Sequence, residues 1–217
     1  MRILVDGLDM SGKTTLVATL IKTLEARGVA AVRHRGMLAE HHPVEPLLKK
    51  LPLVRQAQSS AITAAFLVGG YALDGLLVRV DPPRPADAVI IQDGYADRTI
   101  AFGLAGGPYL TAALALWASQ AFATFDVAVY LHASAQVRRE RMVLRADVDA
   151  ADRRSVEDEP FAARFNASLL NFVGRRHRNL LIFDTAEHTP EEIADQVLAA
   201  AGLPTLPTSE SESRWSA

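Results

Sequence analysis

The chain has no cysteine among its 217 residues, so disulfides, thiolate metal sites and thiol chemistry are excluded. Aromatic residues are scarce, at 6%, and acidic and basic side chains nearly balance, 25 against 23. A formal charge of −2 gives no reason to expect nucleic acid or an anionic membrane as a partner. No uninterrupted apolar run approaches the roughly 20 residues that cross a bilayer; even TAALALWASQAFATF is short and carries Gln120. The N-terminus reaches Asp6, Asp9 and Lys13 too early for the apolar run of a signal peptide, so a soluble, cytoplasmic protein is expected. What remains, 49% apolar and 22% charged residues, is the composition of one globular domain with a substantial core.

The hydrophobic pattern alternates between two periods. RILVD (2–6) is a short apolar run. Lys13 to Arg27 then repeats Leu16, Leu20 and Leu24 every four residues, beside Val17 and Ile21, and stops at Gly28. Strands are predicted again at VAAVRH (29–34), AVIIQ (88–92), DVAVYL (126–131) and NLLIFD (179–184). Helices are predicted over Gln58–Val80, Tyr109–Ala123, Ser134–Arg145 and Phe161–Arg176. The final helix carries its own boundary signals: Thr189 as cap, Pro190 in the first turn, Glu192 three residues after the cap and Gly202 at the end. Strands rich in Val, Ile and Leu that alternate with helices predict an α/β fold, a five-stranded parallel sheet with helices on both faces. The domain is expected over 1–203, with a mobile polar lid at about 145–159 and a disordered Pro- and Ser-rich tail at 204–217.

Between the first strand and helix lies Gly7-Leu8-Asp9-Met10-Ser11-Gly12-Lys13-Thr14, a match to G-x-x-x-x-G-K-[ST] in the context that gives the motif its meaning. Its glycines let successive main-chain N–H groups converge on phosphate oxygens at a helix N-terminus, where the dipole also favours an anion. Lys13 adds a point charge, Ser11 a donor and Thr14 a hydroxyl for Mg²⁺. This is a P-loop, and a nucleoside triphosphate is its expected ligand.

Phosphate binding does not distinguish a kinase from a switch or a motor, and a nucleotide-dependent binding or regulatory protein without turnover is the alternative reading. Asp93 ends the apolar AVIIQD at the sheet edge where ligands of such folds bind, and is expected to organise Mg²⁺. Arg138, Arg141 and Arg145 fall at i, i+3 and i+7 on one helical face directly before the polar segment, and are expected to converge on transferring phosphoryl oxygens. A lid over 145–159 would exclude the water that competes with an acceptor.

DGLDMSGKTT, DGYADRTIAF, VRRERMVLR and LIFDTAEHTPEEI together resemble the thymidylate kinase family of P-loop kinases, over Met1 to about Gly202. The resemblance implies MgATP as donor, Met10 and Thr15 among the residues around its phosphates, Asp9 near an acceptor hydroxyl, and a homodimer built on helices. The apolar helices 61–78 and 110–123 are the candidate dimer face. Three features depart from the family, one being that RHRGMLAEHHP carries no Arg-Glu-Pro-Gly segment. Gly94 stands where the family's Asp-Arg-Tyr segment has arginine, and Tyr71 takes the place of a second acceptor arginine. Two acceptors therefore remain open. Arg98 swings back to the vacated place and the acceptor is a nucleoside monophosphate; or the acceptor is a nucleoside or other alcohol in a slot lined by Phe66, Tyr71, Tyr95 and Phe102, its proton taken by Asp93 or Asp9. His34, His41 and His42 lack a defined metal-ligand spacing and read as polar surface or as a frame for the acceptor pocket.

Overall fold

RILVDG forms a central strand because its side chains are apolar on both faces. The computed structural model describes residues 1–50 and 59–203; the expected tail and Gln58 lie outside them. β1 (Arg2–Gly7) pairs in parallel with β3 (Val89–Asp93) and β4 (Val127–His132), and β2 (Ala31–His34) and β5 (Leu180–Asp184) form the edges. The order β2-β3-β1-β4-β5 is all parallel, as the pattern predicts.

Strand alternation sorts the core into two layers. Ile3 and Val5 with Val127, Val129 and Leu131 face α1 (Lys13–Ala26) and α10 (Pro190–Ala200), through Leu16, Leu20, Leu24, Ile193 and Val197. Leu4, Ala128 and Tyr130 face the opposite way, towards α5 (Ala96–Gly106) and α9 (Glu159–Asn171), through Ile100, Phe161 and Phe165. Thr189 and Glu192 close a full capping box at the start of α10.

Several elements differ from the sequence pattern. The predicted Gln58–Val80 helix is α3 (Ser60–Ala64), a π-helical segment over Ala65–Ala72 and α4 (Leu73–Leu77). An added Cβ at Gly70 would lie 2.4 Å from Met37 Cε, so the missing side chain lets the loop after β2 pack directly on helix backbone. Ser60–Leu77 also has the length and mean hydropathy, 1.5, of a bilayer-crossing helix, which the search for uninterrupted apolar runs misses. Within it, the fully buried Asp74 accepts from Leu38 N, Ala39 N and the Tyr95 hydroxyl. Of that window, 28% is buried inside the protein. α6 (Tyr109–Trp117) ends short of Ala123, and α9 gives way to a 3₁₀ turn at Val173–Arg176. α2 (Glu45–Lys50) is an element that the pattern did not separate from its loop. α7 spans Ala135–Val143 with Ser134 as its cap. The polar stretch expected to form a lid contains α8 (Ala150–Glu157), whose Ser155 and Val156 are fully buried.

Asp97, in the first turn of α5, is fully buried and accepts from Arg176 Nε at 2.6 Å and Tyr130 at 3.0 Å, with His177 Nε2 at 2.6 Å. Burial pushes its carboxyl up, but Arg176 and His177 outweigh that and hold it below the usual range. Asp97→Ala leaves Arg176, Tyr130 and His177 without their shared acceptor and is expected to cost about 3–5 kcal/mol in urea unfolding. A loss under about 1 kcal/mol contradicts this account of the network.

Candidate functional site

β1 carries the chain straight into the loop. Gly7 pairs with Leu131 of β4, and its φ is +144°, outside the ordinary range of a side-chain-bearing residue. A Cβ there would meet the Leu131 carbonyl oxygen at 2.2 Å. Gly12, at φ +91°, starts α1 in the left-handed region with no side-chain cap, leaving the first-turn N–H groups of α1 for an anion. Met10 also has positive φ, +64°, a strained value for a side chain that is not glycine.

Around the loop lies a cavity of about 590 Å³. Its loop side is Asp9, Met10, Gly12, Lys13, Thr14 and Thr15; its far side is Arg141, Arg145, Asp149 and Asp152; and Arg35, Asp93, Gly94 and Arg98 close the end by β2 and β3. Every predicted phosphate-side residue except Gly7, Ser11 and Arg138 lines it. Gly7 lies behind the loop. Ser11 is buried, and its Oγ, like Asp6 Oδ2, has no hydrogen-bond partner among the described residues.

Charges here are closely matched. Lys13 Nζ donates to Leu8 O at 2.6 Å and Gly7 O at 3.0 Å, with Asp9 3.7 Å away. Burial, then the charge of Arg98, pulls the lysine down to about 8, against the opposing pull of Asp9, Asp6 and Asp93. Arg98 Nη2 donates to both oxygens of Asp9 at 2.5 and 2.6 Å, and Nη1 to Gly7 O. Burial of Asp9 is outweighed by Arg98 and Lys13, which hold its carboxyl at about 2. Asp6, beneath the loop, is raised to about 7, first by burial, while Arg98 and Lys13 oppose the rise.

Asp93 Oδ2 accepts from Arg33 and from Arg35 Nε at 2.9 Å, with Arg35 Nη2 at 2.8 Å. Burial of this carboxyl is outweighed by the two arginines, so it too is held low. Arg141 donates to Met10 O at 3.1 Å, Thr185 Oγ1 at 2.8 Å and Thr185 O at 2.9 Å; Arg145 Nη1 lies 3.4 Å from Asp152.

Arg138 does not converge with its neighbours. It is buried, donating to Ala133 O and Ser155 O, and so clamps α7 to α8. One turn nearer the helix start, the same face meets the sheet and α8 instead of the cavity.

None of the acceptor-side aromatics borders the described cavity. Tyr95 is 1% exposed, donates to Asp74, and stacks edge-on with Tyr71 at 4.7 Å and Phe125 at 5.3 Å. Phe102 packs on Phe161 of α9, and Phe66 is half-buried on the π-helical segment. Arg98 does lie over Gly94, where an added Cβ would sit 3.9 Å from its Cδ, but its fork goes to Asp9. The loop histidines each have their own partner: Gln92 for His34, Asp81 for His41, Gly70 O for His42.

Arg35, Thr185, Asp149 and Asp152 are site residues that the pattern missed. Arg35 and Thr185 directly follow β2 and β5, so the edge-of-strand rule that found Asp93 reaches both when applied to every strand.

No protein-family model matches the chain, and no curated protein matches it. Among solved structures it is similar to the thymidylate kinase of Candida albicans, with a TM-score of 0.59 at 15% identity over 93% of this chain and 90% of that one. The likeness shows that the chain has the fold of that P-loop protein. Gly7→Ala is expected to displace Leu131 or the loop and to lower the unfolding midpoint, while Gly28→Ala, at φ +72° with nothing within 4 Å, pays only backbone strain. Equal losses in a thermal melt contradict the close approach at Gly7.

Proposed function

We propose that the protein is an ATP-dependent phosphotransferase, acting as a soluble cytoplasmic homodimer on a small-molecule acceptor without nucleic acid or membrane. The observation that carries this reading is the cavity itself: uncapped helix N–H groups, Lys13, Arg141 and Arg145 surround one space that also holds the carboxylates of Asp9 and Asp93. An anion-binding loop with two further arginines matches the charge that spreads over a transferring phosphoryl group, where one arginine is worth about 10³–10⁵ in rate. The solved-structure likeness supports the fold that such chemistry uses.

In this reading Lys13 and the loop amides hold the donor phosphates, with Met10 and Thr15 beside them, and Arg141 and Arg145 face the group in flight. Thr14 and Asp93 line one cavity and offer a hydroxyl and a carboxylate, the hard oxygen donors that Mg²⁺ takes. When bound, Mg²⁺ supplies charge neutralisation to the phosphates. An acceptor hydroxyl, oriented by Asp9, forms the new bond to the γ-phosphorus as the bridging oxygen leaves with ADP, and its proton passes by way of Asp9 to solvent. Asp9, held at about 2, orients better than it deprotonates, which suits a transition state with little bond formation to the nucleophile. The segment 145–159 acts as a lid. Its α8 is tied down by Arg138 and by Arg154, which donates to Gly106 O and sits 4.5 Å over the Phe161 ring.

The dimer in this reading uses exposed apolar side chains of the π-helical segment, α4 and α6: Val68, Leu76, Leu110, Leu114 and Trp117, the last 86% exposed.

Lys13→Ala is expected to abolish acceptor-dependent ADP release with an unchanged melting profile; normal turnover in that variant removes the loop from the mechanism. Bound phosphates favour the lysine ammonium, so binding takes up a proton once the pH exceeds the free-protein value of about 8. MgATP affinity should therefore weaken about tenfold between pH 7 and 9, and a flat profile across that range contradicts the charge assigned to Lys13. Trp117→Glu should halve the mass measured by light scattering; a variant that stays at the parent's mass places the dimer elsewhere.

A further inference from the structure

Asp6 places a carboxyl near the end of β1 and takes no part in the chemistry assigned to the cavity. It is fully buried, pairs in register with Tyr130, and lies on the face of β1 that Leu4 turns towards α5. Its Oδ1 accepts from Gly7 N at 2.7 Å, while Oδ2 has no hydrogen-bond partner among the described residues. The carbonyl of the same glycine accepts from Lys13 Nζ and from Arg98 Nη1, both at 3.0 Å. Gly7 is therefore gripped from two sides, by a carboxyl at its N–H and by two site cations at its oxygen.

A buried carboxylate keeps its charge only where cations or several donors answer it. At Asp6 one neutral N–H serves Oδ1, and the nearby cations donate elsewhere: Arg98 Nη2 to both oxygens of Asp9, Lys13 to two carbonyls. The groups that act on Asp6 are Arg98 and Asp97 of α5, Lys13 of α1, Tyr130 of β4 and Tyr71 of the π-helical segment. Asp97 has its own cation in Arg176. Burial outweighs Arg98 and Lys13, which leaves the Asp6 carboxyl at about 7. A triphosphate in the loop brings negative charge close to Asp6 and engages Lys13, and both effects favour the neutral acid.

Resting on the phosphotransferase reading, we infer that Asp6 is a positioning residue whose carboxyl takes up a proton from the buffer as MgATP binds, and as the neutral acid holds the Gly7 N–H without competing for Lys13. One O–H bond forms on the carboxyl, and the buffer acid is the proton donor. Asp6 acts through Gly7 and Lys13 rather than on the ligand itself. Because the ligand favours the protonated form, affinity falls as the pH rises through about 7, below the value of about 8 at which Lys13 gives up its own proton.

Asp6→Asn keeps the acceptor for Gly7 N–H and removes the charge, so it stands for the protonated acid. The test measures the Kd for MgATP by calorimetry, with the full chain and with this variant, at pH 6, 7 and 8. The Kd of the parent should rise by about threefold relative to that of Asp6→Asn between pH 6 and 8. A constant ratio overturns the inference and leaves the phosphotransferase reading standing. Asp6→Ala removes the acceptor as well and should bind MgATP at least threefold more weakly than Asp6→Asn at pH 6; equal affinities there remove the positioning role. Titration of the parent at pH 7 in two buffers of different ionisation enthalpy needs no variant. Uptake of about 0.4 proton per MgATP is expected, against about 0.1 from Lys13 alone, and an uptake no larger than the Lys13 share overturns the inference while MgATP still binds. Absence of MgATP binding by the folded parent sinks the phosphotransferase reading, and the inference with it.

Discussion

The rest of the site depends on the close approach of Gly7 to the carbonyl of Leu131. β1 and β4 run parallel up to that pair, and only a residue without Cβ lets the chain leave β1 there and turn over the sheet edge. That exit fixes where Gly12 starts α1, and so where the first-turn N–H groups point. The sheet does more than support the loop, because the register of its two central strands sets the loop's geometry. Asp93 arrives by the same means: it pairs in register with Val5, and Gly94 N then donates to Val5 O, so the end of β3 is drawn beside the loop.

On that frame the charges are arranged in near balance. Burying Lys13, Arg98, Asp9 and Asp93 in one place would be costly for any of them alone, and each is kept by a partner of opposite sign. The effect shows in opposite directions at neighbouring groups, with Asp9 held low by its cations and Asp6, one step deeper and without a partner for Oδ2 among the described residues, raised to about 7. Two of the cations that face the cavity are held by neutral groups that a phosphate can replace: Lys13 by two carbonyls, Arg141 by Thr185 and the Met10 carbonyl. Exchange of a neutral carbonyl for a phosphate oxygen strengthens every one of those hydrogen bonds.

Where the chain states its structure locally, the sequence is enough. The strand–loop–helix at the N-terminus, the apolar strands and the capped last helix each carry signals within a few residues, and the parallel sheet follows from their alternation. Where the outcome is decided by what packs against a segment, it is not. AFLVGGYA is apolar all round, so periodicity has no phase to read, and the Met37 that packs on its Gly70 comes from a distant loop. Arg138 shares its helical face with Arg141 and Arg145, yet the backbone of α8 captures it. The scarce aromatics suggest a slot when read in isolation, but Tyr95 belongs to the core because Asp74 and Phe125 are there to receive it. Arg35 was legible in principle, since it follows a strand on the ligand edge of the sheet, whereas its pairing with Asp93 is a tertiary fact.

The central claim is that one ring of main-chain amides with Lys13 grips a triphosphate. Calorimetric titration of the full chain with MgATP tests it most directly. The account predicts saturable binding at one site per chain; heats indistinguishable from dilution, with the protein shown to be folded, would contradict it.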